Sequence, residues 1–353
     1  MSLMRSFVIS TMNQQLGPMP LYFTEDLTEN EAIQIAVRSL VITGSFESRY
    51  DEYPIEAIIT LPDLKKLTYI FLFAIPHPEF RASVYPVGIS FVTDESHLEV
   101  YKLAHILSQE FRKLAKNIKS YIKLPEEKIF TTGLEKELTK ILSKIDHEID
   151  VMQENIRLKD ISDIDYLLET IDTNLDAAIT PLLTGSPVAI IDTDKERIKK
   201  IINGLKIFAP HRSLKIVEWE LEDLDLNFDI IGTHPQFIDD LASVNICRIN
   251  IARKRVYGGR NNRFTQKFIE NIKKISNNER LRAIENRIEW LLQNTSKYIE
   301  YISSEVEYEK FIQIAGHLDN DLIYLIHKIA ELNSKDIIDK KLIQETPYAF
   351  AKK

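Results

Sequence analysis

Residues 71–92 read FLFAIPHPEFRASVYPVGISFV, two strand-like runs around a short loop that ends in one arginine, Arg81. The run before the loop, Tyr69 to Ile75, is almost wholly apolar, as a strand buried on both faces is. The run after it, Ala82 to Val92, is rich in Val, Ile, Tyr and Phe, residues that fit a pleated surface. Pro76 and Pro78 fix φ within the loop and restrict the residues before them, so Pro76-His77-Pro78-Glu79-Phe80 is stiff. A guanidinium on a stiff loop rooted in a sheet suits insertion into another molecule's anionic site. A solvated surface arginine beside a hairpin has the same local sequence.

Outward from this hairpin, residues 5–14 and 19–24 read as strands joined by a turn at Leu16-Gly17-Pro18. Thr28 with Glu31 forms a capping box that opens a helix. Its apolar face is read as Ile33, Ala36, Val37, Leu40 and Val41, and Gly44 closes it. Strands at 55–61, 67–75 and 82–93 precede a long amphipathic helix over 96–122. This order predicts a five-stranded, largely antiparallel sheet with helices on its faces. Pro125 and Gly133 punctuate a linker, and helical patterns follow at 134–157 and 163–180. An α/β unit begins near Gly185 with the buried run Val188–Ile191, then a helix read as capped by Thr193 with Glu196. Strands are expected at 214–219, 227–232 and 244–251, and helices from Phe264 to about Leu332.

Composition sets the class. The chain has 353 residues, 44% hydrophobic and 28% charged, enough for two or three domains with real cores. A net charge of −8 argues against nucleic acid as the main partner. A local basic stretch, Arg253, Lys254, Arg255, Arg260, Arg263 and Lys267, has the chemistry to touch phosphates or an anionic membrane, but short charge clusters commonly form a solvated face. The single cysteine, Cys247, sits in an apolar run and reads as a small core residue of a reducing compartment. With no long apolar run and no signal-peptide pattern, the expectation is a cytoplasmic protein whose membrane contact is at most peripheral.

The chemistry of a self-contained active site is missing from the sequence. There is no G-x-x-x-x-G-K-[ST] loop. The turn after the 188–191 strand, Asp192-Thr193-Asp194, carries two carboxylates that repel phosphate and no glycine that admits it. The eight histidines show no metal-ligand spacing, so no metal and no cofactor is expected. The acidic run Glu218, Glu220, Glu222, Asp223, Asp225 and Asp229 alternates with Leu221, Leu224, Leu226 and Phe228, as solvent-facing carboxylates on an edge or loop do.

With these elements in place, the chain resembles the longin–DENN proteins, in the branch that includes folliculin and the nitrogen-permease-regulator-2-like subunit. The element order over residues 5–122 is similar to a longin domain. Ser186-Pro187-Val188-Ala189-Ile190-Ile191, Asp194 to Ile202 and Phe208-Ala209-Pro210 resemble the start of the central DENN module. Phe228-Asp229-Ile230-Ile231-Gly232 and Val244 to Ile251 are similar to its later strands. The resemblance implies α+β and α/β architecture: a longin domain over 1–122, a helical linker over 123–183, a DENN-like α/β module over 184–263 and a C-terminal helical part over 264–353.

In GTPase-activating members of that branch a catalytic arginine sits just before a longin strand. Glu79-Phe80-Arg81-Ala82-Ser83-Val84-Tyr85-Pro86 is similar to that segment, with Arg81 in register. The resemblance implies action on a small Ras-like GTPase that brings its own GTP and Mg²⁺. It also implies pairing with a longin or roadblock-type subunit or a second copy. Arg81 is then the catalytic group, and Pro76, His77, Pro78, Glu79 and Phe80 contact the partner. Two alternatives stay open: a DENN-type nucleotide exchange factor, and a non-catalytic scaffold whose sheet edge pairs with another subunit.

Overall fold

The computed structural model describes residues 4–13, 15–42, 54–77, 83–121, 131–155, 159–171, 173–220, 227–244, 246–303 and 319–341. These residues hold two five-stranded sheets, one in each of two compact units. The first unit comprises Met1–Gln153, Thr295–Ile314 and Asn333–Thr346. The second comprises Glu154–Asn294, Ala315–Leu332 and Pro347–Lys353.

In the first unit β1 (Arg5–Asn13), β2 (Gly17–Phe23), β3 (Ile55–Leu61), β4 (Lys66–Pro76) and β5 (Val84–Thr93) form a sheet in the order β2-β1-β5-β4-β3. Every pairing in it is antiparallel: β1–β2, β3–β4 and β4–β5 are joined by short connections, and β1 pairs with β5 across the intervening chain. The strand read as buried on both faces is so: β4 is covered from Leu67 to Ile75.

The two faces of the sheet differ in side-chain size, and that difference places the helices. On one face Ser10, Gly88 and Ser90 let helix α1 (Glu29–Val41) approach closely. Ser39 of α1 donates to the Ile35 carbonyl (2.7 Å) and shares a hydrogen bond with Ser90 (2.7 Å). On the other face Phe7, Tyr69 and Phe71 surround Phe111 of helix α2 (His97–Tyr121), with ring centroids 5.7–6.2 Å apart.

The capping box stands as expected. The Thr28 hydroxyl accepts from the Glu31 amide (3.3 Å) and Glu31 accepts from the Thr28 amide (2.9 Å). The predicted apolar face of α1 needs correction. Ala32, Ile35, Ala36, Ser39 and Leu40 face the sheet, while Ile33, Val37 and Val41 are exposed. The small sheet residues select the small side of the helix. Gly44 lies outside the described residues.

Helix α3 (Thr131–Asn155) begins in the stretch read as a linker, yet it belongs to the first unit as far as Gln153. It buries Leu134, Leu138, Ile141, Ile145 and Ile149. Glu137 accepts from Asn117 of α2 (2.9 Å), Lys144 pairs with Glu110 (2.8 Å), and Asp146 pairs with Arg5.

The second unit opens with α4 (Lys159–Thr170) and α5 (Asp176–Leu183). Its strands are β6 (Val188–Ile191), β7 (Ile216–Glu220), β8 (Ile230–Thr233), β9 (Cys247–Asn250) and β10 (Arg255–Tyr257), in the order β10-β9-β6-β8-β7. The β9-β6-β8-β7 pairings are parallel and β10 adds an antiparallel edge. That short edge strand is absent from the sequence reading, because three residues carry too little periodicity.

Helix α6 (Lys195–Lys206) crosses from β6 to β7, and α7 (Ile238–Ser243) joins β8 to β9. Helices α8 (Arg263–Lys274), α9 (Asn277–Ser303) and α10 (Asn320–Lys341, broken at Ser334) end the described chain. The cap of α6 is Asp194, one residue beyond the expected Thr193. Its carboxylate accepts from the amides of Glu196 (2.8 Å) and Arg197 (3.4 Å). No helix among the described residues is long and apolar enough to cross a membrane.

Candidate functional site

The hairpin between β4 and β5 is the root of the sequence-predicted site. The two strands stay paired out to Ala74 opposite Pro86, Ile75 opposite Tyr85 and Pro76 opposite Val84. Among the described residues β3 covers β4 only to Leu72, and β1 covers β5 only to Val87. Among the described residues the end of the hairpin, Phe73–Pro76 with Val84–Pro86, is therefore paired only within itself, as a two-stranded ribbon.

This geometry explains a proline in a strand that is otherwise central. Pro86 stands one residue past the reach of β1, where a missing N–H breaks no ladder bond. Its carbonyl accepts from the Thr11 hydroxyl (3.1 Å), which ties the ribbon's base to β1.

The ribbon closes where the His77 amide donates to the Ser83 carbonyl (3.0 Å). Ser83 lies in the left-handed region at φ 56°. The His77 ring lies 6.2 Å from that of Tyr85. Pro76 is exposed and His77 half-buried. Pro78, Glu79, Phe80 and Arg81 lie outside the described residues. Only Pro76 and His77 of the predicted set are therefore placed, at the mouth of the hairpin, and a five-residue connection from Pro78 to Ala82 joins its two sides.

A second feature of the first unit escapes the sequence reading. Ile33, Val37 and Val41 form an exposed stripe at four-residue spacing on α1, and Leu16 and Leu21 of the adjoining β1–β2 hairpin are exposed too. Ile33 and Val37, with Arg38, border a cleft of about 300 Å³ whose other wall is Leu61-Pro62-Asp63-Leu64. The signal was present in the sequence as two apolar stripes on one helix, one more than the sheet can bury. The neighbouring edge strand β2 carries Pro18 and Pro20, neither of which can donate a backbone hydrogen bond.

Other candidates resolve into structure. Asp192 is buried, accepts from the Asp194 amide (3.0 Å) and pairs with Arg197 (3.2 Å), so this carboxylate holds the β6–α6 turn. Asp229 is no solvent-facing carboxylate: it pairs with Arg212 and accepts from the Lys215 amide (2.7 Å). The alternation rule missed it because it closes the turn into β8. Glu218 and Glu220 do lie on an edge strand, β7, and Glu222, Asp223 and Asp225 are outside the described residues. Cys247 is buried, and burial pushes its thiol up to about 12, which makes it a poor nucleophile. Among the described residues no group of three or more His, Cys, Asp or Glu is placed to hold a metal ion.

No known family model matches the chain, and no curated protein sequence does either.

Proposed function

We propose that this chain is a longin–DENN-type regulator of a small Ras-like GTPase, acting as a GTPase activator that supplies Arg81 in trans. The observation that carries the reading is the closed ribbon of β4 and β5. It fixes both ends of the segment containing Arg81 with one amide hydrogen bond at the far end of a buried hairpin. A finger needs such a root, because the side chain must enter the partner's site without a large ordering cost.

The chemistry asks little more of the chain. A Ras-like GTPase holds nucleotide, Mg²⁺ and attacking water, and lacks positive charge where negative charge builds on the transferring phosphoryl group. An arginine in trans is worth roughly 10³–10⁵ in rate, or about 4–7 kcal/mol. Its planar fork bridges phosphate oxygens as a lysine cannot. Pro76, His77, Pro78, Glu79 and Phe80 form the rim that meets the GTPase.

A second subunit belongs to the same proposal, because the exposed stripe Ile33, Val37, Val41 favours a protein partner on α1. With prolines at two positions of β2, a longin or roadblock-type subunit or a second copy meets this corner through side chains and not by extending the sheet. Single-turnover GTP hydrolysis with wild type and Arg81→Ala tests the activating role. Faster nucleotide release without faster hydrolysis supports the exchange-factor alternative.

A further inference from the structure

A chain of net charge −8 contains, from Leu241 to Ile269, seven basic residues and no acidic one. In the second unit this segment carries its cations on neighbouring elements. Arg253, Lys254 and Arg255 form the turn between β9 and β10, Arg260 follows Gly258-Gly259, and Arg263 and Lys267 lie on the first turns of α8. All six side chains are exposed. Among the described residues none of them pairs with a carboxylate; the ring contacts of Arg255 with Tyr257 and Arg260 with Tyr324 are their partners.

The support under these cations is firm. Gly258 and Gly259 have φ of +69° and +79°. A Cβ at Gly259 would stand 2.1 Å from the Ala177 carbonyl oxygen and 3.0 Å from the Cys247 sulfur, so the turn is pressed onto the core. The Arg260 amide donates to that same Ala177 carbonyl (3.3 Å). Arginines on a fixed turn lose little backbone freedom when they meet an anionic surface.

The arrangement selects among anions. The free amides opening α8 are taken by the protein: Asn262 accepts from Phe264 (3.0 Å) and Thr265 (3.2 Å), and Asp321 accepts from Arg263 (2.9 Å). The six cations are spread over a turn, the segment after Gly259 and the start of α8. Single-stranded nucleic acid needs open aromatic faces for its bases. Here Arg260 lies 3.4 Å from the Tyr324 ring centre, Arg255 covers Tyr257, and Phe264 stacks on Trp290. The acidic neighbours on α8 and α10, Glu270 and Asp321, are engaged by Gln266 and by the Arg263 amide. Exposed cations with no carboxylate partner among the described residues fit a surface of many mobile negative charges.

We infer that this edge of the second unit, Arg253 to Lys267, binds the anionic headgroups of a lipid bilayer. Each cation near such a surface adds on the order of fivefold in affinity, and the attraction is screened by salt.

The test is co-sedimentation of the full chain with vesicles of phosphatidylcholine alone or mixed with phosphatidylserine, for wild type and for Arg253→Glu/Arg263→Glu/Lys267→Glu. The three sites are exposed, and a thermal melt that matches wild type shows that the variant is folded. The expected result is binding to the mixed vesicles only, weakened at least about 100-fold in the triple variant and lost at high salt. Binding that the triple variant keeps, or equal binding to both vesicles, overturns the inference. So does a shift of single-stranded oligonucleotide by wild type without vesicle binding, which would make the edge a nucleic-acid surface.

Discussion

The His77 amide and the Ser83 carbonyl meet at 3.0 Å, and this one bond closes the β4–β5 ribbon on the segment that contains Arg81. Strand pairing from Leu67 to Pro76 against Val84 to Thr93 brings the two residues together, so the root of the loop inherits the rigidity of the most buried hairpin in the first unit.

Ser83 holds φ 56°, a region that serine tolerates and β-branched residues do not. Ser83→Val is expected to destabilise the chain by about 1–3 kcal/mol, whereas Ser83→Gly stays within about 0.5 kcal/mol of wild type. Urea denaturation measures both. If the proposed finger depends on this closure, Ser83→Val also lowers GTPase activation more than it lowers binding.

Gly204 sits inside α6 where that helix crosses α4. Alanine normally improves a helix by about 1 kcal/mol over glycine. Here a Cβ would stand 2.7 Å from the Asp163 carbonyl oxygen and 2.9 Å from the Leu167 Cβ, so the sign reverses. Gly204→Ala is expected to destabilise by about 1–3 kcal/mol. Gly88→Ala, whose new methyl finds ordinary contacts at 3.5 Å and beyond, meets no such clash. Denaturant midpoints of the two variants measure the contrast.

Two groups set an acid limit. Burial, and then the neighbouring Arg212 charge, depress His211 from 6.5 to about 3. Below pH 6.5 the unfolded chain takes up a proton that the folded chain refuses. Its contribution is full above that pH and falls as pH drops toward 3, by up to about 1.4 kcal/mol per pH unit. The Thr28 amide, with Lys66 and the Thr28 hydroxyl, holds Glu31 at about 2 against an ordinary 4.5. Its contribution is present above 4.5 and fades as pH falls through 2. His211→Leu is expected to flatten the stability profile between pH 6.5 and 4.5, and Glu31→Gln only below that. An unchanged slope in His211→Leu would contradict the assignment.

The stripe on α1 predicts association. Val37 is 39% exposed, so Ile33→Asp/Val37→Asp is expected to fold with stability within about 1 kcal/mol of wild type. Analytical ultracentrifugation is expected to find wild type as a concentration-dependent dimer, or bound to its subunit, and the double variant as a monomer. A wild type that stays monomeric and a variant that captures the same subunit equally well would remove α1 from the interface.

Much of the first sheet was legible because its signals are local. Alternating and continuous apolar runs set the strands, and Thr28 with Glu31 set the start of α1. What escaped depends on tertiary contact. Ser10, Gly88 and Ser90 decide which side of α1 is buried, and they lie far from it in sequence. β10 is three residues long and is defined by its pairing with β9. At the candidate site, the prolines marked the loop and the strands its root. The bond from His77 to Ser83 and the end of the β1–β5 pairing at Thr11 and Val87 needed the register.

The most direct test is single-turnover GTP hydrolysis by a panel of Ras-like GTPases, with wild-type chain and with Arg81→Ala. The account predicts acceleration of roughly 10³–10⁵ by wild type for a cognate GTPase, lost in Arg81→Ala while GTPase binding persists. A cognate GTPase that the chain binds but does not accelerate, or one accelerated equally by Arg81→Ala, would contradict it.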